Sequence, residues 1–172
     1  MTKLSLLQKE MCRILESGGV KVLEAFPAES AKRYAAPLVV VAVKELKAEE
    51  AGFHNYLGES YDEAAKTWQE RYGQKTAVTF SLSIYSPRSC GEAGCRETME
   101  AVSEILQKDT PAKLPLKQMN WGKISYDKSC DMLLLTGEIL CEGMLYSVSQ
   151  EGSDLLVFEV KGGMTLESND KS

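Results

Sequence analysis

Between residues 78 and 85 the chain alternates with a period of two: Val78, Phe80, Leu82 and Ile84 against Thr79, Ser81, Ser83 and Tyr85. Successive side chains of a strand point to opposite faces, so residues 76–87 predict a strand with one apolar and one hydroxyl-bearing face. Its β-branched and aromatic residues suit a pleated, half-buried surface. Pro87 cannot donate to a ladder and marks the strand's end. The flanking segments then have to supply the layers that cover the apolar face.

Upstream, Leu4, Leu7, Met11, Ile14 and Leu15 fall on one helical stripe, and Gly18-Gly19 is a stop, so residues 2–17 predict a helix. Residues 20–26 predict a strand, and 27–34 a single helical turn closed before Pro37. The apolar run from Leu38 to Val43 is short and β-branched, which predicts a strand over 37–46 buried on both faces. An aromatic-rich loop bounded by Gly52 and Gly58 follows. Ser60 and Glu63 have capping-box spacing, and Tyr61, Ala64, Ala65, Trp68 and Tyr72 recur at helical spacing before Gly73. That pattern predicts a short helix with an aromatic stripe.

After the central strand, Cys95, Met99, Val102, Ile105 and Leu106 form the apolar face of a helix over 92–108, with Glu97, Glu100, Glu104 and Lys108 facing water. Residues 110–120 read as a connector, and 123–126 as a short strand. Strands over 132–140 and 142–148 are broken or bulged near Gly137 and Gly143, and 155–161 is a last strand. No strict βαβ alternation appears. The expected fold is α+β: a single domain over 1–161 with a largely antiparallel or mixed sheet and helices on one face. Residues 50–73 are an inserted aromatic-rich arm, and 162–172 a frayed tail.

The 172-residue length suits one domain, and 44% hydrophobic with 26% charged residues falls in the ordinary globular class. The formal net charge is −5 with Lys and Arg scattered, which argues against a nucleic-acid backbone as the main partner. The apolar stretch Leu4-Ser5-Leu6-Leu7 is too short for a signal-peptide core, and no run approaches membrane-spanning length. Cys12, Cys90, Cys95, Cys130 and Cys141 are expected as thiols in a reducing compartment.

Candidate chemistry is sparse. Cys90 and Arg96 stand in Cys-x5-Arg spacing between a strand and a helix, as in cysteine-nucleophile phosphatases. Such a loop cradles phosphate at a helix N-terminus and lowers the thiol pKa. Glu92 inside the would-be cradle and Glu97 after the arginine oppose that reading. Zinc could draw on Cys90, Cys95, Cys130, Cys141 and His54, but paired knuckle spacing is missing. His54 is the single histidine and therefore the one possible triad base. Asp127, Asp131 and Glu138 would bind a metal only if they converged. No catalytic residue, cofactor or metal is expected. Phe53, His54, Tyr56, Leu57 and Trp68, with Tyr61, surround a charged segment, where they either cover the domain's own core or serve a protein interface.

The runs Pro37-Leu-Val-Val-Val-Ala-Val, Gly52-Phe-His-Asn-Tyr-Leu-Gly58, Tyr72-Gly73, Phe80-Ser-Leu-Ser-Ile-Tyr-Ser-Pro87 and the helix within 90–106 together resemble tail proteins of prophages in Gram-positive bacteria. The resemblance is to the tail-terminator, or tail-completion, family. It implies a small non-enzymatic α+β protein of the virion tail, assembled in the host cytoplasm. In that family a homo-oligomeric ring, a hexamer as the resemblance has it, ends tail-tube polymerisation and faces the head–neck connector or sheath. It implies neither an active site nor a membrane or sequence-specific nucleic-acid partner. Another connector or baseplate role is the near alternative, in a phage or a tail-like bacteriocin, and a Cys90-dependent phosphatase the alternative from another class.

Overall fold

The computed structural model describes residues 3–25, 34–50, 56–149, 158–160 and 164–166. Helix α1 (Lys3–Ser17) leads into strand β1 (Val22–Leu23) and the long strand β2 (Leu38–Glu50). Strands β3 (Tyr56–Asp62) and β4 (Thr67–Pro87) follow, then α2 (Gly91–Lys108) and a short 3-10 turn (Pro111–Lys113). Strands β5 (Leu116–Trp121), β6 (Ser125–Asp127), β7 (Met132–Ser149), β8 (Phe158–Val160) and β9 (Met164–Leu166) complete the order.

The described strands form one mixed sheet in the order β1-β2-β4-β7-β8-β9, with β3 paired to β4 and both β5 and β6 paired to β7. The β1–β2 pair is parallel, and the β3–β4, β5–β7, β6–β7, β7–β8 and β8–β9 pairs are antiparallel. This is an α+β fold, as the residue pattern predicts. Two compact units divide it. The first comprises Met1–Glu45, Val78–Pro111 and Leu116–Cys141; the second comprises Leu46–Ala77, Ala112–Pro115 and Glu142–Ser172.

The core of the first unit is built on the period-two pattern of β4. Val78, Phe80, Leu82 and Ile84 are fully buried, and the residues between them are half-buried. Ser86 continues the buried face, and its hydroxyl donates to the Gly91 carbonyl at 3.0 Å, so this face looks toward the start of α2. Cys95, Val102 and Leu106 supply the buried stripe of α2, while Met99 and Ile105 lie at its half-buried margin.

Helix α1 buries Met11, Cys12, Ile14 and Leu15, whereas Leu4 at its first turn is exposed. It ends at Gly19, which takes the left-handed conformation (φ +88°). The Val20 amide donates to Leu15 and the Gly19 amide to Glu16, the two bonds of a Schellman cap. Gly18 lets α1 approach α2 closely, since a Cβ there would stand 2.6 Å from Ile105 Cγ1. Gln8 ties α1 to β2 by donating to the Val41 carbonyl at 2.8 Å.

Several elements depart from the sequence expectation. The run Leu38–Val43 is buried on both faces only at Leu38 and Val39; Ala42 is exposed and every residue from Lys44 to Glu50 faces solvent. Of the strand expected over 20–26, the described residues 20–25 are extended as a strand only at Val22–Leu23, and Phe26 lies outside the described residues. Residues 110–120 contain β5 as well as a turn, and β7 is one strand through both Gly137 and Gly143. The single turn expected at 27–34 lies almost wholly outside the described residues. Met164–Leu166, within the segment read as a tail, pairs with β8.

The largest correction concerns 60–72, where a β-hairpin replaces the expected helix. Tyr61, Thr67, Trp68 and Tyr72 all favour strands, and the helix-forming Glu63-Ala64-Ala65-Lys66 stretch is used for the turn alone. Asp62 rather than Ser60 does the capping: its carboxylate accepts from the Ala64 and Ala65 amides at 2.9 and 3.1 Å and from the Gln69 side chain at 2.8 Å. Lys66 closes the turn with φ +52°.

Candidate interaction surface

Within the second unit the β3–β4 hairpin carries two faces of different chemistry. Directly opposed residues of an antiparallel pair share a face, and the register opposes Tyr56 to Tyr72, Glu59 to Glu70 and Tyr61 to Trp68. The other face carries Ser60 opposite Gln69 and Asp62 opposite Thr67. One face is therefore aromatic with a carboxylate pair across its middle, and the other is polar, with Arg71 opposite Gly58 beside Gln69 and Asp62.

Both aromatic pairs meet edge to face. The Tyr61 and Trp68 rings are 5.4 Å apart at 62°, and those of Tyr56 and Tyr72 are 5.7 Å apart at 65°. This is the preferred geometry of interacting rings. The pairs nevertheless stand in solvent: Trp68 is 68% exposed, Tyr61 50% and Tyr56 41%. Leu57, also exposed, is the extra residue at a register shift between Tyr56 and Gly58.

The carboxylates between the pairs are held by the tyrosines. Like charges placed directly opposite each other destabilise a sheet, and Glu59 faces Glu70. The Tyr72 hydroxyl donates to Glu70 at 2.6 Å, and that bond, with partial burial and the negative charge, raises the Tyr72 pKa above its ordinary 10.0. Tyr56 is raised by partial burial first and then by the charges of Glu59 and Glu70.

Of the interface candidates read from the sequence, Tyr56, Leu57 and Trp68 are exposed on this hairpin, while Phe53 and His54 lie outside the described residues. Glu59 and Glu70 belong to the same face and carry no mark in the sequence reading, while Tyr72, expected on a helical aromatic stripe, joins them as a strand residue. Their signal is the strand period Trp68, Glu70, Tyr72, which is masked by the helical spacing of 61, 65, 68 and 72.

The Cys90–Arg96 segment does not form an anion cradle. Cys90 precedes the first turn of α2, with its thiol 3.7 Å from the Ala35 carbonyl, and Arg96 turns back along the helix to Glu92 at 3.3 Å. Gly94 serves packing: a Cβ there would be 2.5 Å from Ser86 Oγ and 3.0 Å from Pro37 Cγ. Cys95 is buried, and burial pushes its thiol pKa up.

The three carboxylates considered for a metal go to different partners. Asp127 accepts from the amide and hydroxyl of Ser129, and these bonds lower its pKa. Asp131 takes Arg88 at 3.0 Å and the Tyr126 hydroxyl, and Glu138 pairs with Lys44. No group of three metal-ligating side chains occurs among the described residues. No described helix is long and apolar enough to cross a membrane.

No protein-family model matches this chain, and comparison with curated proteins finds no match.

Proposed function

We propose that the chain is a structural assembly protein of a phage or phage-like tail, a tail terminator that forms a homo-oligomeric ring and acts without catalysis. The observation that carries this reading is the exposed aromatic face of the β3–β4 hairpin. Tyr and Trp are enriched at protein interfaces, and buried aromatic anchors dominate interface energy. Here two cross-strand pairs are preorganised by their own ring contacts yet left in solvent. Preorganisation lowers the entropy lost on association.

The resemblance of the 37–106 region to tail-terminator proteins supplies the identity of the assembly. The engagement of the Cys90 thiol with the Ala35 carbonyl and of Arg96 with Glu92 weakens the phosphatase alternative. Sedimentation velocity of the purified chain, with negative-stain electron microscopy, tests the reading. Closed rings of one stoichiometry are expected, able to halt polymerisation of a cognate tail-tube protein. A chain that stays monomeric at all concentrations and leaves tube length unchanged overturns it.

A further inference from the structure

We infer that the surface taken by the hairpin's aromatic–acidic face is the lysine-bearing β5–β6 margin of a second copy of this chain. The inference rests on the assembly reading above and names the surface that one subunit offers the next.

Charge is its first support. Residues 45–72 hold seven acidic and three basic side chains, whereas residues 113–128 hold four lysines and one aspartate. A chain of net charge −5 thus keeps a locally basic stretch in an acidic background. Lys117 on β5, Lys123 in the β5–β6 link and Lys128 after β6 are all exposed. None has an ion-pair partner among the described residues, whereas Lys44 and Lys75 pair with Glu138 and Glu142.

The hairpin face is the chemical complement of such lysines. Glu59 and Glu70 oppose each other between two aromatic pairs. An ammonium group there relieves the like-charge opposition and meets the faces of Tyr and Trp rings, which attract cations. Lysine stems would cover the rings while the charged head reaches the carboxylates.

The two surfaces differ, so the contact is heterologous. Heterologous contacts generate rings when the rotation closes and open filaments when it does not. An aromatic-to-aromatic contact between two identical hairpins would instead give a two-fold dimer, with four carboxylates brought together. That arrangement is electrostatically unfavourable, so the charge pattern favours the head-to-tail pairing.

Charge reversal on each surface separately tests this. One variant is Glu59→Lys/Glu70→Lys and the other is Lys117→Glu/Lys123→Glu, each checked for fold by circular dichroism. Each alone is expected to lose association at least about tenfold against wild type, and an equimolar mixture to recover it, because the reversed hairpin of one then meets the reversed margin of the other. Raising ionic strength should weaken wild-type association. If a reversal variant unfolds, the Gln substitutions at the same positions replace it and are expected to weaken association in the same order. Wild-type-like association of either variant alone, or a mixture that stays dissociated, overturns the inference and leaves the ring reading standing. A monomeric wild-type protein removes both.

Discussion

Tyr61 and Trp68 stand directly opposite each other across the β3–β4 turn, rings edge to face at 5.4 Å, in a position where both are at least half exposed. An aromatic pair of this geometry contributes about 0.5–1.5 kcal/mol beyond the area it covers. Because the ring faces are solvated, that contribution holds the hairpin rather than the core. Tyr61→Ala is expected to speed amide exchange of the 58–71 hairpin amides while leaving those of α2 unchanged. Hydrogen exchange checks it, and equal acceleration in α2 would place Tyr61 in the global core.

Phe80 is the largest fully buried side chain of the first unit, on the face it shares with Val78, Leu82 and Ile84. Truncating a core aromatic removes its transfer energy and leaves a cavity. Phe80→Ala is expected to cost about 3–5 kcal/mol in denaturant unfolding.

The Tyr72–Glu70 bond has a definite pH signature. Its folded pKa is raised above the ordinary 10.0, by the hydrogen bond to Glu70 first. A group raised in the folded state contributes stability fully present below its unfolded pKa and lost as pH rises through the folded one. Carbon-labelled tyrosine NMR should show Tyr72 titrating above 10.0, and Glu70→Gln should bring it down. An unmoved titration in Glu70→Gln would show that the bond is not formed in solution.

The five thiols differ in reach. Cys12, Cys95, Cys130 and Cys141 are buried and Cys90 is half-buried. Burial pushes Cys12 and Cys141 up to about 11, leaving little thiolate at neutral pH. A water-soluble thiol reagent is expected to modify Cys90 quickly in the native protein and the other four only after unfolding. Cys90→Ser should abolish the fast phase.

The legible parts of the fold are those where one local pattern has one structural use. Val78 to Ile84 alternates strictly and is buried as read. The α2 stripe of Cys95, Val102 and Leu106 and the Gly18-Gly19 stop of α1 follow from spacing and cap chemistry. The hairpin departs from the residue pattern because Tyr61 and Trp68 are seven residues apart, two turns of a helix and also opposite positions across a four-residue turn. A polar residue ahead of Glu-Ala-Ala-Lys caps a helix or an isolated turn equally well, and pairing to β4 decides between them. The continuation of β2 from Lys47 to Glu50 is not legible for the same reason, since its strand state comes from its neighbour rather than from apolar periodicity. The aromatic residues of the candidate surface are visible in the sequence by type, and their face is not.

The central claim is that the hairpin's aromatic face is an assembly surface, and sedimentation velocity of wild type beside Tyr61→Ala/Trp68→Ala tests it most directly. Truncating an interface anchor costs about 2 kcal/mol or more, roughly thirtyfold in association. The double variant is predicted to keep the wild-type circular dichroism spectrum and to sediment as a monomer where wild type sediments as a ring. A folded double variant that assembles with wild-type mass at wild-type concentration would contradict the account.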